Sequence, residues 1–208
     1  MPLVYQQNIN SNTRLGVWHI TETENFFLQK IMLQKEITHP HKRLQHLAGR
    51  LMLKELFTDF PLELIKIADT RKPFLANESY HFSISHCGNY AAVIVSTANR
   101  VGIDIEIPQE KIERVMHKFL NEVEKQQLLK LPGLNKQECL TVGWSIKETL
   151  FKWYGAGELD FKKNMAINSF EKKSQSLIAN CTIYKEKKYL LKVQCIIFSG
   201  NSLAWLVT

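Results

Sequence analysis

Residues 101–107 read Val-Gly-Ile-Asp-Ile-Glu-Ile, and this alternation limits the fold more sharply than any other stretch of the chain. Side chains alternate across a strand, so Asp104 and Glu106 share one face while Ile103, Ile105 and Ile107 point the other way, into a core. A fold containing this segment therefore needs a sheet with one apolar face covered. Two carboxylates on one face repel each other unless water, a base or a cation lies between them, and hard oxygen donors at that spacing suit magnesium. A solvated strand face accounts for the same pattern, and the segment alone does not choose between the two.

The surrounding sequence is mixed in character. A strand is expected near Leu15–Ile20, then a helix from Thr21 with Glu24 completing a capping box, then a longer helix in Pro40–Phe57 with apolar residues at helical spacing. Strand-like segments follow at 64–68, 80–85 and 90–96, the last two joined by Cys87-Gly88-Asn89. After residue 107, helices are expected near 109–118, 122–131 and 136–154, and beyond Gly155 the chain finishes as a meander of strands. The pattern predicts an α+β protein of 208 residues, 45% of them hydrophobic, with enough apolar sequence for a substantial core.

The formal charge of +7 is spread evenly. Residues 1–100 carry 11 Lys+Arg against 8 Asp+Glu, and residues 101–208 carry 16 against 12. No basic arm, aromatic-studded RNA-binding strand, helix-turn-helix glycine pattern or zinc spacing supports a nucleic-acid-binding module. The four cysteines form no CxxC pair and read as reduced thiols. With no basic leader and no long apolar run, the sequence is expected to be cytoplasmic and free of the membrane.

Two further segments carry candidate chemistry. In Trp144-Ser-Ile-Lys-Glu-Thr-Leu-Phe-Lys152, Trp144, Glu148 and Lys152 share a helix face, with Lys147 at its edge. This is either a surface ion pair or an anion site beside an aromatic wall. In Tyr80-His-Phe-Ser-Ile-Ser-His86, a strand delivers His86 to a turn, and upstream Arg71-Lys72-Pro73 adds two cations. These groups either serve structure or hold phosphates through charge-assisted hydrogen bonds. Asn121-Glu-Val-Glu124 has the spacing of a helix cap, so Glu124 is able to bond back to the Asn121 amide.

In this order, the segments resemble the 4'-phosphopantetheinyl transferase superfamily. GIDIE at 102–106 is similar to its metal motif, WSIKETLFK at 144–152 to its W-x-x-K-E-x-x-x-K helix, and FSISH at 82–86 to its phosphate-contacting strand. RKP at 71–73 resembles an element usually written GKP, with Arg71 in the glycine's place. The length is that of the surfactin-synthetase-activating type. The resemblance implies a monomer of two similar α+β lobes, 1–100 and 101–208, in a pseudo-twofold arrangement with the site between them.

It further implies transfer of 4'-phosphopantetheine from coenzyme A to a serine of an apo acyl or peptidyl carrier protein. Asp104, Glu106 and Glu148 would ligate Mg2+ or Mn2+, and Lys147 and Lys152 would neutralise pyrophosphate charge. Lys72, Ser85 and His86, with Arg43 and Arg50, would hold phosphates of coenzyme A, and Glu124 would deprotonate the carrier serine. A member that binds coenzyme A or carrier without turnover is the alternative within the family.

Overall fold

The computed structural model describes residues 3–33, 36–174 and 176–208. The chain divides into two compact units, Met1–Val101 and Gly102–Thr208. Each combines helices with a sheet, so the α+β expectation holds. Among the described residues, no helix is long and apolar enough to cross a membrane.

The first unit is built on a four-stranded sheet in the order β1-β2-β6-β5, with β1 Leu3–Asn10, β2 Thr13–His19, β5 His81–Cys87 and β6 Tyr90–Ser96. All three pairings are antiparallel. The helix α1 is Glu24–Leu28 and α2 is Pro40–Leu56, while β3 Ile65–Ile67 and β4 Pro73–Leu75 form a separate two-stranded ribbon. Leu47, Ala48, Leu51 and Met52 of α2 lie against Ala91, Val93 and Val95 of β6 in one buried cluster. Gly49 permits α2 to approach β5 as well, because a β-carbon there would stand 2.9 Å from Ile84 of that strand.

Two expectations for this unit are corrected. The first helix begins at Glu24 with Thr23 as its cap and no side-chain capping bond, so the Thr21–Glu24 box does not form. Glu22 instead receives the indole N–H of Trp18 at 3.1 Å. The strand β1 has no counterpart in the sequence reading. Its burial alternates only between half-buried and exposed, as suits an edge strand whose inward face is not deeply covered.

Arg71 adopts a left-handed backbone, φ 65°. Its N–H donates to Ala68 O at 2.8 Å, and Ala68 N donates to Lys72 O at 2.9 Å, closing a tight loop immediately before Pro73. Glycine adopts this conformation without the steric cost that a side chain brings. Arg71→Gly should therefore raise stability by up to about 1 kcal/mol, read from a chemical denaturation curve. Destabilisation would show that the arginine side chain contributes more than the strained backbone costs.

β7 Val101–Glu106 begins at the last residue of the first unit and lies otherwise in the second, which continues through α3 Lys111–Val115, α4 Glu122–Leu128 and α5 Lys136–Tyr154, and ends in β8 Met165–Lys173, β9 Ser176–Tyr184, β10 Lys188–Phe198 and β11 Asn201–Val207. The sheet order is β7-β11-β10-β9-β8, so the opening strand lies beside the last one. The first unit repeats that logic: β2 precedes the helices and pairs with β6, the unit's final strand. Leu140, Val142, Ile146, Leu150 and Trp153 of α5 pack on Ala179, Cys181, Val193, Cys195 and Ala204 of the sheet. Asn121 and Asn135 start α4 and α5 with complete capping boxes, and Gly155 ends α5 in a left-handed turn.

Candidate active site

β7 and α5 bring the candidate metal ligands together within the second unit. Gly102 sets their separation, because a β-carbon there would lie 2.5 Å from the Thr149 carbonyl oxygen and 3.0 Å from Trp153. The carboxylate face of β7 is thus covered by a helix, and the solvated-face reading fails: Asp104 is only 1% exposed. Gly102→Ala must push strand and helix apart and should cost about 1–3 kcal/mol in a denaturant titration. An unchanged midpoint would mean that the contact yields freely.

Asp104 Oδ1 accepts from Lys152 Nζ at 2.6 Å. Glu106 Oε1 accepts the indole N–H of Trp144 at 3.1 Å. The Trp144 ring is held in turn by Phe119 at 5.0 Å, edge on, and by Phe161 at 5.3 Å, stacked. Glu148, one turn before Lys152, has its carboxyl pushed up to about 7. Burial is the main cause, with Lys152 opposing it and the charges of Asp104 and Glu106 adding to it. Glu148 therefore lies within electrostatic reach of both strand carboxylates and of Lys152.

Among the described residues, no group of three or more His, Cys, Asp or Glu side chains stands where it could hold a metal ion. Magnesium does not require such a cage. It keeps water and substrate oxygens in its octahedron and takes only one or two protein carboxylates. An all-oxygen donor set whose members repel one another fits that ion.

Lys147 departs from its expected place. It is 0% exposed, and its ammonium donates to Glu124 Oε1 at 2.7 Å, to the Phe161 carbonyl at 3.0 Å and to the Met165 carbonyl. Burial pushes its pKa down, while the Glu124 charge opposes that shift. An ammonium has three donors, and all three are used inside the unit. The expectation that Lys147 neutralises pyrophosphate is corrected to an internal ion pair.

Glu124 is held in the same internal network. It is 1% exposed; Oε1 also accepts the Ile167 amide at 2.8 Å, and Oε2 accepts the Asn121 amide at 2.8 Å. The capping box forms as the spacing indicated, and both carboxylate oxygens accept hydrogen bonds inside the unit. Sequence periodicity placed Lys147 only at the edge of the helix face. It carries no signal for the partner 23 positions away.

In the first unit, Ser85 is buried near the end of β5, while His86 beside it is exposed. The turn that follows is braced from α2: Gln45 Nε2 donates to Gly88 O at 2.8 Å, and His41 Nε2 lies 2.9 Å from the same oxygen. Lys72 has its pKa pushed down to about 8 by burial, with Arg100 adding to the shift. Arg50 is pushed down to about 10 by burial, and its Nη1, a buried atom, has no hydrogen-bond partner. Arg43 is engaged elsewhere, with Glu24 at 2.8 Å and the Ile37 carbonyl at 3.1 Å, so it joins α1 to α2.

Comparison with known proteins bears on the second unit above all. The family model described as the 4'-phosphopantetheinyl transferase superfamily matches residues 100–202. Enterobactin synthase component D of Escherichia coli strain K12 is 30% identical over 128 residues, covering 58% of this chain and 61% of that protein. The corresponding protein of Salmonella austin is 28% identical over 111 residues, covering 53% of this chain and 47% of its own length. The L-aminoadipate-semialdehyde dehydrogenase-phosphopantetheinyl transferase of Xenopus laevis is 28% identical over 164 residues, covering 70% of this chain and 53% of that protein. The chain thus spans about half the length of the curated relatives it matches.

Proposed function

The chain belongs to the 4'-phosphopantetheinyl transferase superfamily, and from that premise we propose that it transfers 4'-phosphopantetheine from coenzyme A to a serine of an apo acyl or peptidyl carrier protein. The observation that carries the proposal is the pairing of buried Asp104 of β7 with Lys152 of α5, beside Glu148, whose carboxyl feels Lys152, Asp104 and Glu106. In the reaction the serine Oγ attacks the β-phosphorus of coenzyme A, the bond to the bridging oxygen breaks, adenosine 3',5'-bisphosphate leaves with the bonding pair, and the serine proton passes to solvent.

Asp104, Glu106 and Glu148 would hold Mg2+ or Mn2+. A bound dication would withdraw charge from the attacked phosphorus and stabilise the departing oxygen. Trp144 holds the Glu106 carboxylate in its orientation by donating to Oε1. Lys152, a quarter exposed, supplies an ammonium to phosphate oxygens, and the Phe119–Trp144–Phe161 stack gives that side an apolar wall. Lys72, Ser85 and His86 hold phosphate oxygens of coenzyme A, and Arg50 Nη1, a buried donor without a hydrogen-bond partner, favours an anion. The carrier is an acidic protein steered by the +7 charge, and the enzyme acts as a monomer.

The proposal is tested by following release of adenosine 3',5'-bisphosphate from coenzyme A. Release should require both an apo carrier and a divalent cation, and release without a carrier would reduce the activity to hydrolysis. His86→Ala should raise the Michaelis constant for coenzyme A more than that for the carrier. A change confined to carrier saturation would place His86 against the other substrate.

A further inference from the structure

The charge of the second unit is not shared among its elements. Residues 101–161, which hold β7 and the helices, carry 8 Lys+Arg against 10 Asp+Glu, whereas residues 162–208, which hold the strand meander, carry 8 lysines against 2 glutamates. The chain's net charge of +7 thus resides almost wholly in β8–β11 and their turns. Two of these lysines, Lys172 and Lys173 at the end of β8, are exposed and border a cleft of about 210 Å³. Its wall is apolar, with Leu134 ahead of α5, Val142 of α5, Leu177 of β9 and Ile197 of β10. Among the described residues that line it there is no carboxylate and no aromatic ring. Glu171, next to the lysines, accepts from Asn180 Nδ2 at 2.8 Å and feels the charges of Lys192 and Lys173.

Size and composition select the occupant. Pockets for drug-sized ligands are about 300–1,000 Å³, while an apolar cavity of about 150 Å³ already holds a benzene molecule, so this cleft suits one anchoring side chain. Nucleic-acid bases stack on aromatic rings, and the cleft offers none. Two lysines beside an apolar slot match an acidic protein that presents an apolar side chain among its carboxylates. Val142 lies six residues before Glu148 and ten before Lys152, about 9–15 Å along α5 at a rise of about 1.5 Å per residue. A domain of about 100 residues has a radius of gyration of about 13 Å, so a carrier with its serine at Glu148 and Lys152 is wide enough to cover the cleft as well.

We propose that the cleft and its two lysines are a second anchor for the acidic carrier, seating one apolar side chain while Lys172 and Lys173 pair with neighbouring carboxylates. The inference rests on the reading of the protein as a carrier-modifying transferase, and it adds where the carrier is held.

The test measures binding of fluorescently labelled apo carriers from fatty-acid, polyketide and nonribosomal-peptide systems by anisotropy, together with the Michaelis constants for carrier and coenzyme A wherever transfer occurs. Wild type is compared with Lys172→Glu/Lys173→Glu, which reverses the rim charge, and with Ile197→Trp, which fills the cleft from a position already 38% exposed. Thermal melts establish that each variant is folded. Both variants should weaken carrier binding by on the order of tenfold and raise the Michaelis constant for the carrier, while that for coenzyme A stays within about twofold of wild type.

Carrier affinity equal to wild type in either variant would overturn the proposal. So would a matching rise in the Michaelis constant for coenzyme A, or single-stranded DNA that binds through the same lysines and displaces the carrier. If wild type neither binds nor modifies any carrier, the transfer reading itself falls and the anchor with it. A carrier that both variants modify at wild-type efficiency leaves the transfer standing and removes only the anchor.

Discussion

Asp104→Asn will lower phosphopantetheine transfer by on the order of 10²–10³-fold while leaving the melting temperature within a few degrees of wild type. Asparagine keeps the volume and an acceptor oxygen for Lys152, so the packing of β7 on α5 survives. What disappears is the negative charge that would hold a dication. Ile105→Asp is the matching control, because Ile105 is completely buried on the opposite face of the same strand. That carboxylate would have no partner, and the variant should fail to fold. If Asp104→Asn turns over at the wild-type rate, Asp104 is not a metal ligand.

The second large effect concerns stability. Glu124→Gln leaves the fully buried Lys147 ammonium without its counter-charge, and removing one partner of a buried ion pair costs about 3–5 kcal/mol. A cap lost from a solvent-exposed helix end would cost only about 1 kcal/mol, so the size of the loss separates the two accounts. The double variant Glu124→Leu/Lys147→Met removes both charges and should recover much of the stability, since well-packed apolar residues often replace a buried pair without loss. Urea denaturation of the three proteins measures this directly. A loss near 1 kcal/mol in Glu124→Gln would contradict the ion-pair account.

These two predictions mark where the sequence could be read and where it could not. The alternation of Asp104 and Glu106 with isoleucines, and the single face shared by Trp144, Glu148 and Lys152, are periodic signals, and the local element type follows from them. The helix 136–154 was legible for the same reason. The Lys147–Glu124 pair was not, because its members lie on different helices and only tertiary packing makes them neighbours. Nor does the sequence state that Gly102 touches a helix backbone, or that Glu106 is gripped by an indole. The edge strand β1 escaped because Leu3–Asn10 is rich in Gln and Asn and its burial is shallow on both faces. The Arg43–Glu24 ion pair joining α2 to α1 carries no signal in the sequence either, since its members lie on different elements.

The central claim is the transfer itself, and intact-mass analysis tests it most directly. A panel of apo carrier proteins from fatty-acid, polyketide and nonribosomal-peptide systems would be incubated with this protein, coenzyme A and Mg2+. The account predicts that at least one carrier gains the mass of a single phosphopantetheine group on its serine, and that the gain disappears with a chelator and in Asp104→Asn. Carriers that stay unmodified throughout, in a preparation that is folded and binds coenzyme A, would contradict it and leave the non-catalytic family member as the surviving reading.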